Sequence, residues 1–215
     1  MIALDVAAYS YVAIVAGLAV SMITKNERWK LGGRILLYLG LLFFGLLLME
    51  TSVEGLKESA GFEEWIARLE NPLRGAAIGG LITLIIQSSS ATVGLAIVLG
   101  KQNLISVAGG LAVMLGAELG TCSDTLIATI GGGREALKAG IFHLVFNFFT
   151  IALGLLLFDP FVRAVEWISG GQGIDNQIAN GHLLFNVAGV VIFLPFAQLV
   201  IRGFSRVLPP QNEPA

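Results

Sequence analysis

Hydrophobic residues fill most of this chain, and polar residues break the pattern at a few defined places. Apolar runs at residues 6–24, 35–49, 104–119, 139–158 and 181–201 read as five membrane spans. The stretch 54–74 behaves differently. There Leu56, Phe62, Trp65, Ile66 and Leu69 alternate with Glu58, Glu63, Glu64, Arg68 and Glu70, which predicts an amphipathic helix lying in the membrane interface. Residues 161–168 form a shorter amphipathic piece, and the polar tail at 203–215 is expected to be disordered.

Two stretches are too interrupted to be simple spans. Residues 75–100 carry no charge, yet Gln87, Ser88, Ser89, Ser90 and Thr92 sit at their centre. Residues 119–133 join apolar segments through Thr121, Cys122, Ser123, Asp124 and Thr125 and end in three glycines. Polar groups are costly in hydrocarbon, and backbone that leaves a helix at membrane depth must line a cavity or be covered by protein. Paired interrupted segments point to a transporter's binding site. The expectation is a re-entrant helical hairpin over 75–100, with the serine cluster near its tip. A discontinuous helix is expected over 104–133.

Composition agrees. The mean hydropathy is +0.82, and only 13% of the 215 residues are charged, against about 25% in a soluble domain. The chain reads as an all-α integral membrane protein with about five transmembrane helices, one of them discontinuous, plus the hairpin. Its net charge of −2 implies no nucleic-acid partner. The single cysteine, Cys122, supports neither a disulfide framework nor a cysteine metal site. Residues 1–5 lack the positive start of a signal peptide, so the first run is expected to be retained as a span.

Basic residues orient the helices. With the N-terminus outside and residues 75–100 returning to the side they left, Lys25, Arg28, Lys30, Arg34, Arg134, Lys138, Arg202 and Arg206 face the cytoplasm. Lys57, Arg68, Arg74, Lys101 and Arg163 face out. Eight against five follows the positive-inside rule. A full span at 75–100 would place Arg134, Lys138, Arg202 and Arg206 outside, so charge favours the hairpin.

Several chemistries compete for these residues. The serine cluster could be glue between helices, but such glue usually takes one or two polar residues per interface. A solute site fits better: hydroxyls and freed amides donate to an oxyanion, while carbonyl and hydroxyl oxygens hold a hard cation. No Lys or Arg lies within the cluster or within 120–125, so an anion there would lean on helix N-termini and a co-bound cation. Thr121, Ser123 and Thr125 form a second candidate cluster, with Glu118 and Asp124 as candidate cation ligands or, alternatively, an interfacial acid and a helix cap. His143 with Asn147, and His182 with Asn186, repeat a His-x-x-Phe-Asn pattern. Each pair lies on one helical face and reads as structural hydrogen bonding rather than as a metal site or proton relay. A serine hydrolase is disfavoured because no Gly-x-Ser-x-Gly elbow surrounds Ser88–Ser90.

At these residues the chain resembles the sodium/phosphate cotransporter family, the type II sodium-dependent phosphate symporters and their bacterial relatives. The resemblance rests on Gln87 to Thr92 (QSSSAT), Gly116 to Thr121 (GAELGT), His143 to Asn147 (HLVFN), and the closing IANGHLLFN before Leu194-Pro195-Phe196. It covers residues 40–196. Two positions depart from the family pattern: Glu118 stands where asparagine is usual, and Cys122 where a second threonine is usual.

The resemblance implies sodium-coupled symport of inorganic phosphate across the cell membrane by a multi-pass transporter, not an enzyme. No cofactor is implied beyond Na⁺ as the coupling ion. Gln87, Ser88, Ser89 and Ser90 would contact phosphate and sodium, and transport would proceed by alternating access. The family also carries two inverted repeats, each with its own hairpin, whereas this chain has one. Residues 1–34 would then be a first span and cytoplasmic linker, and 35–202 the second repeat, ending in a last span at 181–202. The chain would be one half of an inverted-repeat transporter embedded in the bilayer. Another chain or a second copy would complete it. The alternatives are a transporter or channel for another anion without sodium coupling, and a non-transporting assembly subunit.

Overall fold

The computed structural model describes residues 9–56, 59 and 61–207. Among these the secondary structure is helical, with nine α-helices and no strand. The chain divides into two compact units at Phe62/Glu63.

The first unit is a helical pair, α1 (Ser10–Ile23) and α2 (Glu27–Leu56). Asn26 terminates the connection by accepting the Arg28 N–H at 3.0 Å. The two helices run antiparallel and touch backbone to backbone. A Cβ at Gly33 would lie 2.7 Å from the Ser21 amide nitrogen, so a side chain there would force the helices apart. As described, α1 has 14 residues, about 21 Å of helix, short of a hydrocarbon core of about 30 Å. The start of the predicted 6–24 span, at residues 6–8, lies outside the described residues.

The second unit contains α3 (Phe62–Leu69), α4 (Pro72–Ile86), α5 (Ser89–Lys101), α6 (Val107–Ala128), α7 (Gly133–Leu156), α8 (Phe158–Ser169) and α9 (Ile174–Val207). Its centre is α6, where Leu111, Ala112, Met114, Leu115 and Ala117 are completely buried. The other helices pack around it. Gly79 and Gly116 let α4 and α6 approach closely, because a Cβ on either would fall inside the other helix's backbone, at Val113 and Ala76 respectively. α7 lies along α6 in the opposite direction, α9 in the same direction, and α8 contributes Phe158 and Val165 to the shared core.

Among the described residues, four helices are long and apolar enough to cross a membrane: α2, α6, α7 and α9. A fifth appears if α3 and α4, bent by 109°, count as one span. The protein is an all-α membrane protein.

Three expectations change in detail. The interfacial helix predicted over 54–74 is divided among the end of α2, the eight-residue α3 and the start of α4. Pro72 and the Asn71 cap, which accepts the Arg74 N–H at 3.0 Å, start a new helix there. The discontinuous helix predicted over 104–133 is not interrupted at its polar residues, since α6 runs unbroken from Val107 to Ala128. Its hydroxyls are satisfied within the helix: Thr121 donates to the Ala117 carbonyl at 3.1 Å, Ser123 to Gly120 at 2.6 Å and Thr125 to Thr121 at 3.4 Å. Nothing therefore forces the backbone open. The break falls instead at Gly131 and Gly133, both at positive φ. Finally, α9 continues to Val207, so helix occupies 203–207 of the expected disordered tail, while 208–215 lie outside the described residues.

Candidate functional site

The chain reverses between α4 and α5 at Gln87 and Ser88. Gln87 takes the left-handed conformation (φ 58°, ψ 35°) and its N–H donates to the Thr83 carbonyl, closing α4. Ser88 is extended (φ −153°), and its hydroxyl accepts the Ala91 N–H at 3.2 Å, capping α5. Just behind the turn, the buried Thr83 and Thr92 hydroxyls meet at 2.8 Å. In a continuous helix these positions would stand about 13 Å apart. The chain therefore folds back on itself as a helical hairpin, with Gln87-Ser88 at its tip.

That turn brings two opposite helix ends together. α4 finishes with carbonyls that have no onward helical donor, and α5 begins with amides that have no preceding acceptor. A cation is favoured on the first side and an oxyanion on the second. Around them, Gln87 and Ser90 are exposed and Ser89 half-buried. Thr92 is fully buried. It accepts from Thr83 and donates to the Ser88 carbonyl at 3.3 Å. Thr92 thus braces the hairpin, while Gln87 and Ser90 stand exposed at the turn and Ser89 half-buried beside them. Ser88 shares its oxygen with the cap.

The second cluster lies on α6. Gly120 packs against the Thr83 side chain, where an added Cβ would come within 2.5 Å of Thr83 Cβ. This contact places Thr121 and its neighbours at the level of the hairpin tip. The hydroxyls of Thr121, Ser123 and Thr125 donate to their own helix, and their oxygens retain lone pairs for a cation. The Asp124 side chain lies outside the described set. Among the described residues no group of three His, Cys, Asp or Glu side chains is arranged to hold a metal ion.

The repeated His-x-x-Phe-Asn segments make the same local bond. Asn147 Nδ2 donates to the His143 carbonyl at 3.2 Å, and Asn186 Nδ2 to the His182 carbonyl at 2.9 Å. The asparagines serve the histidine backbone rather than the rings. The rings then diverge. His143 Nδ1 is buried without a partner, whereas His182 Nε2 lies 2.7 Å from Glu118 Oε1, joining α9 to α6.

Sequence reasoning did not find that pairing, nor the role of Thr83. The signal for the first was the unusual carboxylate at Glu118. The signal for the second was a lone polar residue on an otherwise apolar hairpin arm. One further contact positions the hairpin: Glu70, just after α3, accepts the Ser106 N–H at 3.1 Å and the Ser106 hydroxyl, fixing the start of α6 beside the start of α4.

The family model described as Na⁺/Pi-cotransporter matches residues 1–51 and 48–173. The uncharacterized protein YqeW of Bacillus subtilis is 33% identical over 132 residues, which is 61% of this chain and 42% of that protein. The human sodium-dependent phosphate transport protein 2B is 28% identical over 187 residues, 82% of this chain and 27% of the relative. The putative inorganic phosphate export protein YjbB of Salmonella typhimurium is 24% identical over 192 residues, 88% of this chain and 35% of the relative. The chain thus spans less than half the length of these relatives. No solved structure matches it. With family matches covering most of its length, the chain belongs to the Na⁺/Pi-cotransporter family, a family of transporters.

Proposed function

We propose that the chain is one half of a sodium-coupled phosphate symporter in the cell membrane. The hairpin turn carries this reading. An apolar hairpin closes on a left-handed glutamine and an N-capped serine, and it brings helix-end acceptors and donors together beside three unbuttressed polar side chains, Gln87, Ser89 and Ser90. That set holds a small oxyanion and a hard monovalent cation side by side, each offsetting the other's charge. The lack of Lys or Arg in the hairpin between Gly75 and Gly100 gives the cation a purpose: without it, the anion would lack a full positive charge nearby. Transport by alternating access follows if sodium organises the turn before phosphate enters.

The two successive family matches, 1–51 and 48–173, support reading residues 1–34 as the stretch that leads into the repeat and 35–202 as the repeat that carries the hairpin. The opposing hairpin would come from a further stretch of the same polypeptide, from a separate chain, or from a second copy in the opposite orientation.

The test is radiolabelled phosphate uptake into proteoliposomes. Uptake should require sodium and be abolished by Gln87→Ala. Equal uptake with choline in place of sodium would overturn the coupling. Loss of all uptake with the fold intact, unchanged when the partner half is supplied, would point to an assembly subunit. A second direction has a specific basis, because one relative is described as a putative phosphate exporter. Phosphate release from preloaded vesicles, measured against an inward sodium gradient, decides between uptake and export.

A further inference from the structure

The connection between α1 and α2 concentrates charge of one sign. Between Thr24 and Ile35 the chain carries Lys25, Arg28, Lys30 and Arg34 against a single acid, Glu27. Glu27 lies 3.6 Å from Lys30. Among the described residues no carboxylate pairs with Lys25, Arg28 or Arg34, and all three are exposed. Like charges gathered at the end of two apolar helices repel one another and favour a negative partner at the membrane surface.

The same end of the helical pair holds an open cleft of about 470 Å³, lined by Ala19, Val20 and Ile23 of α1, by its C-cap Thr24, and by Trp29 of α2. Local sequence explains its shape. Trp29 precedes Gly33 by four residues, so the two share one face of α2. Gly33 brings that face onto α1 at Ser21, and one turn further out the Trp29 ring stands against the end of α1. The walls are mostly apolar. Thr24 adds a hydroxyl whose oxygen accepts the Asn26 N–H at 3.3 Å, which leaves its proton to donate. From Ala19 to Thr24 the cleft follows about 8 Å of helix, roughly half of the ~15 Å of hydrocarbon in one leaflet.

Charge and cleft together select the occupant. A soluble anion would meet the basic side chains but gain nothing from Ala19, Val20 and Ile23. An apolar helix would fill the cleft but bring no charge to Lys25, Arg28 and Arg34. A phospholipid with a net negative headgroup satisfies both. We propose that the α1–α2 connection binds one anionic phospholipid, with its phosphate among Lys25, Arg28 and the Thr24 hydroxyl and the upper part of an acyl chain in the cleft beside Trp29. Arg34 adds positive charge from further along α2. Trp29 is 68% exposed, and its apolar ring with a polar N–H suits the level where headgroup gives way to hydrocarbon. The site lies within the first unit and does not depend on what the chain transports.

The experiment uses the full chain carrying Trp65→Phe and Trp167→Phe, which leaves Trp29 as its one tryptophan. The protein is placed in phosphatidylcholine vesicles containing the same small fraction of either dibrominated phosphatidylglycerol or dibrominated phosphatidylcholine, and quenching of Trp29 fluorescence is measured. Phosphatidylglycerol should be preferred about fivefold or more, the effect of one basic residue at an anionic surface. Lys25→Gln combined with Arg28→Gln should remove the preference. Ala19→Phe keeps every charge but fills the cleft, and should also reduce it. Equal quenching by the two lipids would overturn the site, because bulk lipid alone would then reach Trp29. Quenching by neither would overturn it as well, since protein would cover the cleft. So would a preference that survives the charge substitutions, or one that Ala19→Phe leaves unchanged, which would mean diffuse attraction without a seated chain. If the tryptophan variants fail to fold, native mass spectrometry compares the wild type with Lys25→Gln/Arg28→Gln. Phosphatidylglycerol retained by the wild type and lost from the variant supports the site, and equal retention overturns it.

Discussion

At the scale of single residues, the hairpin separates positions that hold the fold from positions proposed to face a solute. Gln87 is the clearest case of the second kind. A non-glycine residue in the left-handed region costs about 1 kcal/mol, and glycine would occupy φ 58° without that cost. Gln87→Gly should therefore raise thermal stability slightly while abolishing phosphate uptake, because it removes the amide and keeps the turn. A variant that is less stable, or that still transports, would show that the glutamine is kept for packing. Thr92 predicts the opposite pattern. Thr92→Val leaves the buried Thr83 hydroxyl without its partner, which should cost roughly 1–3 kcal/mol and lower the unfolding temperature, whereas Ser89→Ala should leave that temperature near wild type and reduce uptake. From the sequence, Gln87 to Thr92 read as a single cluster of equivalent ligands. The distinction between bracing and facing depends on which hydroxyl meets Thr83, a contact set by the fold-back rather than by local pattern.

At the scale of helices, close packing of α4 on α6 fixes where the hairpin tip stands. The seam works because Gly79 and Gly116 present bare backbone to the opposite helix. Gly116→Ala should force α4 outward and cost about 1–3 kcal/mol through overpacking, with a matching fall in unfolding temperature measured in detergent. Gly45→Ala on α2 is the control. Nothing lies within 4 Å of a Cβ built there, so removing a flexible glycine from a helix interior should be neutral or mildly stabilising. Equal losses at both positions would mean that helix propensity, not the seam, governs stability. Most of the helices were readable from runs of apolar residues, because length and hydropathy alone identify a span. The polar segment at 120–125 misled the reading because Ser and Thr weaken helices in water. In a membrane, however, they return their hydroxyls to the carbonyls three and four residues back, as Thr121 and Ser123 do here. The same run of polar residues is thus compatible with a break or with a continuous helix, and the glycines at 131–133 proved the stronger stop.

At the scale of the whole molecule, the proposed site has this hairpin on one side, and a further stretch of the same polypeptide, a separate chain or a second copy would supply the other. A second copy can do so only if it sits in the opposite orientation, because inverted repeats meet antiparallel. Eight basic residues predicted inside against five outside is a weak bias, of the kind that lets a chain insert both ways. A separately encoded half would need only one orientation. These alternatives predict different labelling. In a Cys122→Ser background, which removes the one native thiol, Lys25→Cys places a reporter at the exposed connection between α1 and α2. Intact cells treated with a membrane-impermeant maleimide should label roughly half of the molecules if the chain inserts in both orientations, and nearly none if this connection is uniformly cytoplasmic. Adding one arginine beside Lys25 sharpens the test. A dual-topology dimer should lose uptake as the balance tips to one orientation, because no inverted partner would remain to face Gln87, Ser89 and Ser90. A half that pairs with a different chain should keep its uptake, since its own orientation would only be reinforced.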